Sequence, residues 1–299
     1  MTAVCGHEPS SGLYFEVLER ACAELPFLLI PGGGASGACF RATPDGRPGW
    51  AERLAERGEE VWVTDWPGCG RSGGRDPLEV GYAELVEGYV RLLENFVARP
   101  VRIVCHSMGG AIAWKLVERC RPLVQSVLAV AASYPGNIAA APEVLADDGA
   151  LVRLRFAASG LVFEIRRDRL YRYSDAYVRD QALAGSTRFP RARVDAFRAG
   201  LVGIPPRAIL QRLGHEGGLP RVERTEAFAG LRVLYLTGTH DPAHTRAIDS
   251  ATVELLRSWG AEAELLFLVD RGIEGNGHFL FLEENSDELL DLALVELGP

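Results

Sequence analysis

The chain has 299 residues, 47% of them hydrophobic, and sets 32 Lys and Arg against 40 Asp and Glu, for a net charge of −8. That length supports a large buried core, in one large domain or two smaller ones, and the acidic balance argues against a nucleic-acid partner and against anionic membranes. No stretch reaches the ~20 apolar residues of a membrane helix. Residues 1–20 lack the cationic start and apolar run of a secretory signal, so a cytoplasmic protein is expected.

Phe27-Leu28-Leu29-Ile30 has the pattern of a buried strand ending at Pro31-Gly32-Gly33-Gly34. A helix is predicted over 49–58 and a strand over 60–64. Residues 79–98 place Tyr82, Leu85, Val86, Tyr89, Leu92, Leu93 and Phe96 at helical spacing. A strand over 101–105, a helix over 108–120 and a strand over 124–132 follow. The alternation stops at Ser133. From there to about Gly230 the sequence is predicted helical and is rich in Arg and aromatics, among them Phe156, Phe163, Tyr171, Tyr173, Tyr177, Phe189 and Phe197. Alternation resumes with a strand over 232–237, a helix over 247–259, a strand over 263–269 and a helix over 285–297. Such alternation builds a mostly parallel sheet covered on both faces. The expected organisation is an α/β core of 1–133 and 230–299, with a helical lid or cap inserted at 134–229. Packing helices without a role in binding are the plainer reading of that insertion.

His106-Ser107-Met108-Gly109-Gly110 lies between the strand over 101–105 and the helix that follows. Strand, sharp turn and helix are the context that a Gly-x-Ser-x-Gly nucleophile elbow requires. Gly109 and Gly110 supply the small residues, while Cys105 stands where the motif has its first Gly. A Ser capping a helix is the competing use of such a residue. In an elbow, the Met108 N–H opens the helix and faces a developing oxyanion.

With these residues the chain resembles the α/β-hydrolase superfamily over nearly its whole length, and more narrowly a bacterial esterase-like branch. Further matching blocks are Pro31 to Gly34, Thr43-Pro44-Asp45-Gly46-Arg47 with Trp50, Asp65-Trp66-Pro67-Gly68-Cys69-Gly70-Arg71-Ser72, and Gly275-Asn276-Gly277-His278 with Glu283 and Asn285. The resemblance implies a nucleophile, an acid and a histidine in that chain order. Of His7, His106, His215, His240, His244 and His278, the last holds the superfamily position, in a Gly-rich loop after the final strand. Asp241, in Thr237-Gly238-Thr239-His240-Asp241-Pro242, is assigned as the acid, because Ala131-Ala132 leaves no carboxylate at the end of the strand over 124–132. A turn before Pro242 is its alternative role. Gly33 or Gly34 is expected to join Met108 in an oxyanion hole. Gly68-x-Gly70-Arg71-Ser72 lacks the third Gly and the helix start of a nucleotide loop.

The expected activity is a serine carboxylesterase acting on a bulky apolar small molecule through Ser107, His278 and Asp241. His106, Phe156, Phe163, Tyr171, Tyr173 and Tyr177 are its candidate substrate contacts. Arg166, Arg167, Arg169 and Arg172 are candidates for an acidic group on the substrate, against the plainer reading of a solvated helix face. Cys105, Pro31 and the GC-rich bacterial composition, with Lys115 the only Lys, keep open a non-hydrolytic enzyme of natural-product biosynthesis, in which the His is a base and the oxyanion hole holds an enolate. A ligand-binding protein is a third reading. No metal or cofactor is expected, and the oligomeric state is open, a homodimer included. Cys5, Cys22, Cys39, Cys69, Cys105 and Cys120 are read as free thiols.

Overall fold

A computed structural model describes residues 3–18, 25–157 and 159–298; Cys22 lies outside them. The strands are β1 (Ala3–His7), β2 (Tyr14–Leu18), β3 (Phe27–Ile30), β4 (Val61–Asp65), β5 (Val101–His106), β6 (Val124–Val130), β7 (Glu143–Asp147), β8 (Leu151–Arg155), β9 (Val162–Arg166), β10 (Arg232–Thr237) and β11 (Glu262–Phe267). The helices are α1 (Trp50–Glu56), α2 (Tyr82–Leu92), α3 (Gly109–Cys120), α4 (Asp175–Tyr177), α5 (Val194–Ala199), α6 (Pro206–Arg212), α7 (Arg246–Ser258) and α8 (Ser286–Leu297). Among the described residues no helix is long and apolar enough to cross a membrane.

The main sheet has eight strands in the order β1-β2-β4-β3-β5-β6-β10-β11. β1, β2 and β4 pair antiparallel, and every other pairing is parallel. The central strands are apolar on both faces, as a doubly covered parallel sheet demands. Residues of α2, α3 and α7 form a core with one face, and residues of α1 and α8 a core with the other. On the second side Trp50 is fully buried against Phe281, and its Nε1–H donates to the Ser286 carbonyl at 2.9 Å. Two expected elements end early. β6 stops at Val130 because Ala131 turns left-handed (φ 41°), and the helix expected to reach residue 98 widens into a π turn over Leu93–Val97 and stops at left-handed Ala98.

The chain between β6 and β10 departs from the helical expectation. Its first part is an antiparallel meander, β7-β8-β9, separate from the main sheet. The cause is a two-residue period: Val152 and Leu154 are buried while Arg153 and Arg155 point out, and Phe163 and Ile165 are buried beside exposed Glu164 and Arg166. Asp148 closes the β7–β8 turn, its carboxylate accepting from the Ala150 and Leu151 N–H groups at 2.9 and 2.7 Å, with Gly149 at φ 87°. Only the later part of the segment is helical, in the short α4, α5 and α6.

Candidate active site

Strands β3, β5, β6 and β10 run parallel, so the loops that follow them gather on one edge of the sheet, where open α/β sheets place their sites. Ser107 leaves β5 in the left-handed region, φ 49°, a strained conformation for a side-chain-bearing residue. The surroundings hold it there. Its N–H donates to the Val130 carbonyl at 3.1 Å, and its carbonyl accepts from Gly110 and Ser133 at 2.9 and 2.7 Å. The glycines are steric necessities: a Cβ on Gly109 would meet the Pro31 carbonyl oxygen at 2.8 Å, and one on Gly110 the Ser133 carbonyl oxygen at 2.7 Å. Cys105, fully buried between Ile30 and Ala129, is small enough for the turn to form without the motif's first Gly.

The Ser107 hydroxyl lies 3.0 Å from His278 Nε2, and His278 Nδ1 lies 2.6 Å from Asp241 Oδ2. The carboxylate accepts from Nδ1–H, which leaves Nε2 free to take the hydroxyl proton. Burial alone would raise the Asp241 carboxyl, but His278 and His244, with the Ala243 N–H at 2.9 Å, hold it below the usual carboxylate range. The His278 loop is fixed by Glu283, which accepts from Asn276 Nδ2 at 2.5 Å, Ser186 Oγ at 2.6 Å and Gly277 N–H at 2.9 Å. Arg47 in turn donates to the Glu283 carbonyl at 2.9 Å, so the Thr43–Arg47 block braces this loop. Asp65 receives the Gly37 N–H at 2.7 Å and the Arg71 guanidinium at 2.9 and 3.0 Å, which makes the 65–72 block a brace of the edge and not a nucleotide loop.

A cavity of about 270 Å³ opens above Ser107. Ser107, His278, Met108, Gly33, Phe156, Phe163, Tyr173 and Tyr177 all line it. Tyr173 and Tyr177 stack at 4.5 Å with an interplanar angle of 7°. The N–H groups of Gly33 and Met108 make no hydrogen bond among the described residues. A Cβ on Gly33 would come within 2.2 Å of Met108 Sδ, so only Gly lets the two backbones approach this closely.

Three expected contacts lie elsewhere. Gly34 faces Tyr173 beside the cavity, and Tyr171 stands behind it, edge-on to Tyr173 at 5.5 Å. His106 is buried under the site: its Nε2–H donates to the His278 carbonyl at 3.1 Å, and its Nδ1 has no partner. Burial, and then the neighbouring His278, push His106 well below the usual imidazole range, so it is a neutral strut for the loop. Arg166, Arg167 and Arg169 are outside the cavity, paired with Asp168, with Asp147 and Glu216, and with Asp168 again.

Two cavity residues were missed from sequence. His244 stacks on His278 at 5.5 Å, and its Nδ1 lies 3.0 Å from Asp249 Oδ1; Asp249 also receives the Thr237 hydroxyl at 2.6 Å. Burial opposes protonation of His244, yet Asp249 and Asp241 raise it above the usual imidazole value. The sequence gives His244 no local motif, and the neighbouring His240 points to the Gly185 carbonyl. The second is Arg212, at the end of α6. Asp241, His244 and His278 each bring one potential ligand atom within 4.8 Å of the others, but both imidazoles already engage carboxylates through Nδ1.

The pattern of the alpha/beta hydrolase family spans residues 27–292, and the chain belongs to that family. A fungal protein (Fungal sp. strain ATCC 74256) named "Probable secreted lipase phiG" is 21% identical over 90% of this chain and 80% of its own length. Among solved structures, a proline iminopeptidase-related protein of Thermus thermophilus is 20% identical with a TM-score of 0.63, covering 100% of each chain. A thermophilic esterase of Thermogutta terrifontis is 15% identical with a TM-score of 0.63, covering 96% of this chain and 94% of its own. At these identities the solved structures speak to the fold.

Proposed function

We propose that the protein is a serine carboxylesterase acting on a small, largely apolar molecule. The observation that carries the reading is the unbroken Asp241–His278–Ser107 chain of hydrogen bonds ending at a strained elbow on the cavity floor. His278 Nε2 takes the hydroxyl proton as Ser107 Oγ attacks the ester carbonyl, and the carbonyl electron pair moves onto its oxygen. The N–H groups of Met108 and Gly33 receive that oxyanion; losing one such donor typically costs about 3 kcal/mol in the transition state. His278 returns its proton to the departing alkoxide, then activates a water that releases the acid. Asp241 keeps the ring in the working tautomer.

The chain between β6 and β10 acts as a cap in this reading, because its aromatic residues form the cavity wall opposite Ser107. The substrate is a small molecule, with neither nucleic acid nor membrane as partner, in keeping with the net charge of −8. A cytoplasmic setting accords with the unpaired thiols of Cys5, Cys39, Cys69, Cys105 and Cys120.

A fluorophosphonate probe should label wild type and leave Ser107→Ala unlabelled, and aryl-ester turnover should disappear in both Ser107→Ala and His278→Ala. Turnover surviving in Ser107→Ala, with loss in His278→Ala, would overturn acyl transfer in favour of a base-only chemistry.

A further inference from the structure

The cavity wall holds a guanidinium with no carboxylate beside it. Asp241 is matched by His278, and His244 by Asp249. Arg212, also on its wall, has no carboxylate partner among the described residues, and no Asp or Glu lines the cavity. Nη1 of Arg212 is buried with no hydrogen-bond acceptor. The guanidinium carbon lies 4.9 Å from the centre of the Phe156 ring and 5.5 Å from that of Tyr134. Aromatic faces partly offset the lost hydration of a cation but accept none of its in-plane N–H bonds. Of the four arginines that the sequence marked for an acidic group, Arg166, Arg167 and Arg169 are by contrast spent on surface ion pairs, and Arg172 lies outside the cavity with its Nη1 3.5 Å from the Leu201 carbonyl.

A buried donor without an acceptor is costly and calls for an explanation. A planar guanidinium matches a carboxylate with two parallel hydrogen bonds. A single guanidinium takes one such group, and the aromatic wall suits an apolar spacer between that group and the floor. We infer that the substrate is an ester whose apolar body ends in a free carboxylate, and that Arg212 receives that carboxylate while Ser107 attacks the ester. This rests on the esterase reading and adds the substrate class to it.

The test compares two chromogenic esters of equal chain length in each protein, p-nitrophenyl hydrogen suberate and p-nitrophenyl octanoate. Wild type should prefer the acidic ester in kcat/KM. Arg212→Gln should erase the preference by about thirty-fold, chiefly through KM for the acidic ester, and Arg212→Lys should keep part of it by retaining the charge. Reading the ratio within one preparation cancels differences in active fraction. If Arg212→Gln does not fold, the Arg212→Lys ratio decides. A wild type that prefers the octanoate, or a ratio that neither variant moves, overturns the inference and leaves Arg212 as a brace between Tyr134 and Phe156. If wild type cleaves neither ester and the fluorophosphonate does not label Ser107, the esterase reading has failed instead. Calorimetry with 4-phenylbutyrate against 4-phenylbutanol then decides the anion site alone: binding of the acid only, lost in Arg212→Gln, upholds it, and equal or absent binding removes it.

Discussion

Two imidazole–carboxylate pairs lie side by side at the sheet edge, His278 with Asp241 and His244 with Asp249, their rings stacked at 5.5 Å. Both are held through Nδ1, and both line or support one cavity. They differ in what each ring's other nitrogen meets. His278 Nε2 faces the Ser107 hydroxyl at 3.0 Å, whereas among the described residues His244 Nε2 has no hydrogen-bond partner. A buried histidine and acid are therefore insufficient as a sign of chemistry; in the proposed reading the strained elbow makes one pair reactive and leaves the other as architecture.

The comparison breaks most visibly in the acids. Asp241→Asn keeps the shape but admits the wrong tautomer, and should cut kcat by about 10⁴ with little change in melting temperature. Asp249→Ala should do the reverse, lowering stability by about 3 kcal/mol through an orphaned buried cation while kcat stays within about tenfold; chemical denaturation and steady-state kinetics read both. Equal losses of kcat would mean that the two pairs act as one unit. A smaller effect sharpens the contrast. His244 is raised above its unfolded value by Asp249 and Asp241, with Arg212 opposing. Its contribution to stability is thus fully present below about pH 6.5 and fades as pH rises through the folded value. The melting-temperature advantage of wild type over His244→Gln should shrink as pH rises above about 6.5; an advantage that grows with pH would mean that His244 is neutral in the fold.

The sheet edge was legible in the sequence because close packing leaves few options there. Gly109 and Gly110 have carbonyl oxygens where a Cβ would go, and the apolar runs of β3, β4, β5 and β10 fit only a doubly covered strand. The inserted segment was misjudged because its aromatics drew attention away from the alternation of Val152, Arg153, Leu154 and Arg155 and from the Asp148-Gly149 turn. Arg212 and Asp249 could not be found by spacing at all. Each gains its meaning from a neighbour brought close by tertiary packing, and neither belongs to a local motif.

Arg47 and Trp50 tie the backbone at Glu283 and Ser286 to the loop before the first helix and to its first residue, across more than two hundred residues of chain. The loop that carries His278 therefore has no private unfolding route. Its amides should exchange with solvent deuterium only through opening of the whole sheet, whereas β7, exposed along its entire length, should exchange early. Under the proposed function, the roof would breathe for a substrate while the proton-transfer machinery stays as rigid as the core.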